Sequence, residues 1–194
     1  MNIKHLFSFL GLLLFSGTIW PHPGHVDHES IGFFHGLLHP FTGFDHLMAM
    51  FAVGLWAAQQ QGKTRLAIPV TFISVMLLGG LLGIYFNITL PFVENAIAVS
   101  VLALGLFVAL TIQLPLFLSI GITALFAINH GYAHGIEIPT LDNPTGFAFG
   151  FVLATALLHS LGYGLAYFMP TRFAALTRIL GVFSVGAGLW LLTT

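Results

Sequence analysis

Long apolar runs separated by short polar turns make up most of the chain, and most runs have the length of a membrane-spanning helix. Because a helix needs about 20 mostly apolar residues to cross a bilayer, we predict spans at residues 44–61, 66–86, 92–112, 114–129, 145–169 and 173–192. The fourth run is short, so it needs flanking residues or a locally thinned bilayer to cross. The predicted fold is therefore all-α: a polytopic membrane helical bundle with six transmembrane helices in residues 44–194.

A further apolar stretch near the N-terminus is typical of a signal peptide in residues 1–21. Lys4 precedes an apolar run over residues 6–15, and small residues follow at 16–18. Trp20 and Pro21 form a poor cleavage junction, so an uncleaved anchor is the alternative. In both cases we expect residues 22–43, a histidine-rich segment, to lie outside the cytoplasm.

The few positive residues predict how the bundle is oriented. Lys63 and Arg65 lie between the first and second predicted spans, and Arg172 and Arg178 lie around the start of the sixth. With six spans these four residues share one side, which is the cytoplasmic side because Lys and Arg are enriched in cytoplasmic loops. We therefore expect a multi-pass protein of the cytoplasmic (inner) membrane, with its histidine-rich N-terminal segment and its C-terminus outside the cytoplasm.

The composition supports a membrane protein and excludes several classes of function. Hydrophobic residues make up 57% of the chain and charged residues only 6%, against roughly 25% charged residues in ordinary soluble domains. With five Lys and Arg and a net charge of -1, the chain cannot hold a nucleic-acid backbone. Membrane lipid is the expected partner instead, no prosthetic group is predicted, and a homo-oligomer stays open.

Histidine is the main metal-ligating residue type in this chain. The sequence has ten histidines and no cysteine, so disulfides and thiolate metal sites are excluded. In the stretch HGLLHPFTGFDH, His35 and His39 are four residues apart, and Asp45 and His46 follow at the start of the first span. A charged aspartate would cost roughly 2.5–3.5 kcal/mol at the bilayer centre, which favours a paired or metal-bound role over that of an interfacial polar residue.

A second cluster lies in the stretch NHGYAHGIE, at the end of the fourth predicted span. His130, His134 and Glu137 are spaced i, i+4 and i+7, so they share one face if the segment is helical. Gly131 and Gly135 each weaken a helix by roughly 1 kcal/mol relative to Ala, so a re-entrant backbone is the alternative. In the predicted topology both clusters lie at the outer surface, and we expect them to meet.

Two other ionisable residues are weaker candidates. Glu94 lies in the first turn of the third span, where it either supplies charge to a dication or simply suits the helix dipole. His159 lies within the fifth span, as a packing residue or, alternatively, as an inner relay site. His22, His25 and His28 are expected to form a solvated external tail.

The two motifs resemble those of the HupE/UreJ family of nickel and cobalt permeases. The first family motif is present as His39, the letters PFTGF, and then Asp45 and His46; the second, of the form HGxxHGxE, covers residues 130–137. The segment VENAIAVSVLALGL around Glu94 is also similar. The resemblance implies uptake of a metal cation, with the residues of both motifs important for transport.

We therefore predict a secondary permease that captures a divalent transition-metal ion, nickel or cobalt, at the outer face and passes it inward as its substrate. Imidazole and carboxylate ligands suit transition metals, whereas magnesium and calcium prefer oxygen. The candidate metal ligands are His39, Asp45, His46, Glu94, His130, His134 and Glu137.

Two other classes of protein share parts of this pattern. A membrane metalloenzyme of the histidine-box type would need adjacent histidines, and a zinc protease would need HExxH, whereas this chain has HGLLH and HGYAH. We therefore predict that the protein is not an enzyme. A metal sensor or chaperone could use the same ligands, and only ion flux would distinguish it from a permease.

Overall fold

The computed structural model describes residues 28–86, 91–138 and 143–194. The predicted signal peptide and the histidines at positions 22 and 25 lie outside these residues. In the described part all regular structure is helical, with a short 3-10 turn at Thr171–Phe173. The α-helices are α1 His28–Thr42, α2 Phe44–Gln59, α3 Thr64–Phe86, α4 Val93–Ala109, α5 Leu116–Glu137, α6 Pro144–Phe168 and α7 Ala174–Leu191. The predicted all-α membrane bundle is thus confirmed.

The helices α2 to α7 occupy the positions of the six predicted spans. Four of them, α3, α5, α6 and α7, are long and apolar enough to cross a membrane alone. A fifth span results if α1 and α2, which meet at an angle of 78°, are counted together, and α4 is apolar but shorter. The number of six spans therefore stays a prediction.

Two helices differ from the sequence pattern. The fourth predicted span ended at residue 129, but α5 runs on to Glu137, so the second motif is helical rather than re-entrant. The pattern also did not predict α1, which lies within the predicted external segment. α1 packs along α6, with the rings of Phe33 and Phe149 6.0 Å apart.

Helix α2 lies at the centre of the bundle. It contacts α3, α4, α6 and α7, and its buried residues include Met50 and Trp56. A helix that is apolar on all sides must be surrounded by other helices or by lipid, and α2 has helices on most of its sides. The first motif is therefore at the start of the most enclosed helix.

Small residues allow α3 and α5 to pack backbone against backbone. A Cβ added at Gly131 would overlap the carbonyl oxygen of Met76, and one added at Gly83 would lie 2.7 Å from the carbonyl oxygen of Tyr132. Such small residues are how membrane helices approach closely. The glycine beside His130 is thus a packing residue.

The positive residues lie at the end of the bundle where α2 ends. Arg65 donates a hydrogen bond to the carbonyl of Gln60 at 2.6 Å, and its guanidinium lies 5.4 Å from the ring centroid of Tyr167 near the end of α6. Arg178 donates to the carbonyl of Ala109, the last residue of α4, at 3.0 Å. The start of α2, with the first motif, is at the opposite end.

Candidate metal site

The bend between α1 and α2 explains the spacing of the first motif. His39 and His46 are seven residues apart, which would separate them by about 10 Å along a straight helix. Gly43 is the only residue between the two helices, and the 78° bend there brings the two imidazole ring centroids to 5.8 Å. The last turn of α1 and the first turn of α2 therefore present histidines to one place.

His46 is the centre of a cluster of four imidazoles, which we call the histidine cluster: His39, His46, His130 and His134. The ring of His46 lies 4.9 Å from that of His130 and 4.4 Å from that of His134, centroid to centroid. The Nε2 atoms of His46 and His134 are hydrogen-bonded at 2.5 Å, and His39 lies 4.5 Å from His134 by ring centroids. The expected meeting of the two motifs is thus observed.

Asp45 orients the central histidine. Its Oδ1 lies 2.9 Å from Nδ1 of His46, and a carboxylate in this position accepts the Nδ1 proton. Nε2 of the neutral ring then carries the lone pair and faces His134. A carboxylate behind a histidine is the usual way to fix the tautomer of a metal ligand.

His130 also presents a lone pair to the interior. The hydroxyl of Ser100 donates to the carbonyl of Ile97 at 2.7 Å, so it accepts a hydrogen bond from Nε2 of His130 at 2.9 Å. Nδ1 of the neutral ring is then unprotonated. This atom is buried and has no hydrogen-bond partner in the described part of the chain, which is uncommon for a buried polar atom.

Aromatic side chains enclose the histidine cluster. The ring of Phe151 lies 4.7 Å from that of His134 and 6.1 Å from that of His46. Phe72 packs on His130 from α3 at 5.6 Å. The sequence pattern did not identify Ser100, Phe72 or Phe151 as neighbours of the site, because each is one residue in a long apolar run.

The remaining candidates lie outside the histidine cluster. Glu94 is in the first turn of α4, as predicted, but its side chain is exposed. His35 is also exposed, so only His39 of that i, i+4 pair is in the cluster. Glu137 is the last residue of α5, and its side chain is not among the described ones.

The side chains contact one another rather than a common central point. Among the described residues, no group of three or more His, Asp or Glu is placed so that it could hold a metal ion as it stands. Nitrogen ligands bind a transition metal at about 2.0–2.1 Å, so an ion bound by both His46 and His134 must first break their hydrogen bond. Chemically, the site provides the lone pairs of neutral imidazole rings and one carboxylate.

Comparison with known proteins agrees with the motifs. A family model described as HupE / UreJ protein matches residues 10–191. A curated relative, Protein HupE of Rhizobium leguminosarum bv. viciae, is 47% identical over 142 residues, which cover 73% of this chain and 74% of that protein. No solved structure was found to match. The chain therefore belongs to the HupE/UreJ family, a family of nickel and cobalt transport-associated proteins rather than of enzymes.

Proposed function

We propose that the protein is a secondary permease of the cytoplasmic membrane that takes up a divalent transition-metal ion, nickel or cobalt. The observation that carries the proposal is the meeting of both motifs around His46, with Asp45 behind it. The proposed ligands are His39, His46, His130 and His134. Asp45 orients His46, and Glu94 and Glu137 add negative charge at the same end of the bundle.

The orientation of the bundle in the membrane follows from the distribution of charge. Arg65 and Arg178 lie at the end of the bundle opposite the start of α2, and positive residues favour the cytoplasmic side. The histidine cluster then lies near the outer face, where it meets the ion first. The N-terminal segment and the C-terminus are outside the cytoplasm in this orientation.

Capture of an ion is an exchange of one hydrogen bond for metal ligation. The arriving cation replaces the hydrogen bond between His46 and His134: the proton on Nε2 of His134 moves to Nδ1 of the same ring, and both Nε2 atoms then become ligands. Asp45 keeps the proton on Nδ1 of His46 and offsets part of the ion's charge. Nδ1 of His130, which is buried and has no hydrogen-bond partner among the described side chains, is the next lone pair inward.

The membrane potential is a sufficient source of energy for uptake. The sequence has no Walker motif for nucleotide hydrolysis. At roughly 2.3 kcal/mol per charge per 100 mV, a dication gains about 4.6 kcal/mol on moving inward. That gain corresponds to a concentration ratio on the order of a thousandfold.

Uptake of radioactive nickel and cobalt into proteoliposomes tests the proposal. The wild type should show saturable uptake, and His46→Ala and His134→Ala should abolish it. His35→Ala is the matched control, because this exposed histidine lies one turn before His39 and outside the cluster; it should retain uptake. Equal membrane levels of all variants must be confirmed.

One result would contradict the permease, and another would contradict its proposed site. Metal binding at the histidine cluster without flux in the wild type would indicate a sensor or chaperone. Loss of uptake in His35→Ala to the same degree as in His46→Ala would show that the effect is not specific to the cluster.

A further inference from the structure

A second buried group of metal-ligating atoms lies about one helical turn inward from His46. Met50 follows His46 by four residues on α2, which is about 6 Å along the helix. His159 of α6 is 3% exposed, and its Nδ1 lies 2.8 Å from the backbone carbonyl oxygen of Met50. The proposed outer site uses neither residue.

The tautomer of His159 follows from this hydrogen bond. A carbonyl oxygen only accepts, so Nδ1 carries the proton and Nε2 of the neutral ring carries a lone pair. Nε2 is buried and has no hydrogen-bond partner among the described residues. A buried acceptor without a partner costs free energy, and a bound cation would satisfy it.

Two thioether sulfurs lie beside the same turn of α6. The hydroxyl of Thr155, one turn before His159, is 3.3 Å from Sδ of Met50 and 4.0 Å from Sδ of Met76. Met50 thus supplies both the carbonyl that fixes the ring of His159 and one of the two sulfurs. Thioether sulfur is a soft ligand that binds transition metals and has little affinity for magnesium or calcium.

The two groups of ligands are neighbours across one aromatic ring. Phe72 contacts His130 of the histidine cluster at 5.6 Å and His159 at 5.1 Å, measured between ring centroids. Among the described residues, His159 is therefore the next histidine inward from the histidine cluster. The inner group has no carboxylate, so it offsets less of a dication's charge than the outer group, and conduction needs sites that an ion can leave.

We propose that Nε2 of His159 and the sulfurs of Met50 and Met76 form an inner binding station for a transition-metal cation. Its role in transit rests on the permease function proposed above, whereas the station itself is tested by binding alone. Silver ion is a suitable probe, because it is soft like copper(I) and does not need a reducing medium.

The binding test uses the purified full-length chain with His46→Ala and His134→Ala, which removes the outer site. This protein should bind silver with sulfur in the X-ray absorption spectrum, and any protein sulfur must come from methionine because the chain has no cysteine. Adding Met50→Leu and Met76→Leu should abolish the sulfur signal, whereas adding Met48→Leu, a partly buried methionine of the same helix, should not. Silver without sulfur ligands, or a signal that survives Met50→Leu and Met76→Leu, would overturn the proposal.

Folding and transport complete the test. Leucine nearly matches methionine in volume, so the fold should tolerate these changes. If the fourfold variant unfolds, the sulfur signal is compared in otherwise wild-type protein. In proteoliposomes, Met50→Leu with Met76→Leu should lose nickel uptake and keep nickel binding at the outer site. Uptake equal to that of Met48→Leu would overturn the transit role. Absence of uptake in the wild type would instead contradict the permease, and the silver experiment would still decide the station.

Discussion

Replacing Gly131 with alanine tests whether the metal site depends on the close packing of α3 against α5. A Cβ at this position would overlap the carbonyl oxygen of Met76 and lie 2.7 Å from its carbonyl carbon. Non-bonded carbon atoms rest roughly 3.5–4.0 Å apart, so the two backbones would have to separate by about 1 Å. Backbone atoms cannot rotate away as a side chain can, and we expect an overpacking cost of about 1–3 kcal/mol.

Gly121 is the matched control on the same helix. A Cβ added there has no neighbouring atom within 4 Å, so Gly121→Ala changes only the helix propensity. Alanine is about 1 kcal/mol more favourable than glycine inside a helix. Both changes lie inside α5 and share this gain, so the free energies of unfolding of the two variants should differ by the overpacking cost of about 1–3 kcal/mol, with Gly121→Ala the more stable.

Thermal unfolding in detergent, followed by tryptophan fluorescence, measures this difference. Nickel binding by calorimetry should weaken in Gly131→Ala alone, because separating α5 from α3 also displaces the adjacent His130. Equal unfolding midpoints for Gly131→Ala and Gly121→Ala would refute the packing argument. Equal midpoints together with a loss of nickel affinity in Gly131→Ala would assign Gly131 to the site rather than to the helix contact.

Three further predictions follow from the site and the fold. Asp45→Asn should weaken nickel binding about 10–100-fold, the usual cost of losing a carboxylate that orients a histidine ligand; calorimetry that finds unchanged affinity would contradict this role. Nickel uptake should fall as the outer pH drops, because a protonated imidazole can no longer ligate a metal; a rate that stays flat from about pH 7.5 to about 5.5, the range in which histidine ordinarily titrates, would contradict histidine ligation. Gln60→Leu should lower the free energy of unfolding by about 1–3 kcal/mol, because Gln60 donates to the carbonyl of Ile112 at 3.0 Å and accepts from the amide of Leu114 at 3.2 Å. The exposed neighbour provides the control, since Gln61→Leu should change stability by less than about 0.5 kcal/mol.

The sequence predicted the helices that are governed by local length and apolar content. Its predicted spans match α2 to α7 in position, because an apolar run of membrane length has no other stable arrangement in a bilayer. It misplaced the end of α5 by eight residues, since the polar His130 and His134 end the apolar pattern while the backbone stays helical. It also did not predict α1, whose residues 28–42 become a helix packed on α6.

The candidate site, too, could be predicted from the sequence only in part. The predicted topology was sufficient to predict that the two clusters meet, since helix ends on one side of a membrane are near one another. The i, i+4 spacing did not separate His39 from His35; only the resemblance to the family motif placed His39 alone among the candidate ligands, and His35 is exposed in the structure. Glu94 was grouped with the candidate ligands because of its position at the start of the span, but its side chain is exposed in the folded bundle.

By itself, the sequence determined that this is an all-α membrane protein and which polar residues it carries among apolar ones, because hydrophobic length and residue chemistry are local properties. Only the tertiary structure decided which of those residues become neighbours. The 78° bend at Gly43 turns His39 towards His46, and the contact of α3 with α5 positions His130 and His134. Both depend on backbones from distant parts of the chain meeting at van der Waals distance, which no local pattern encodes.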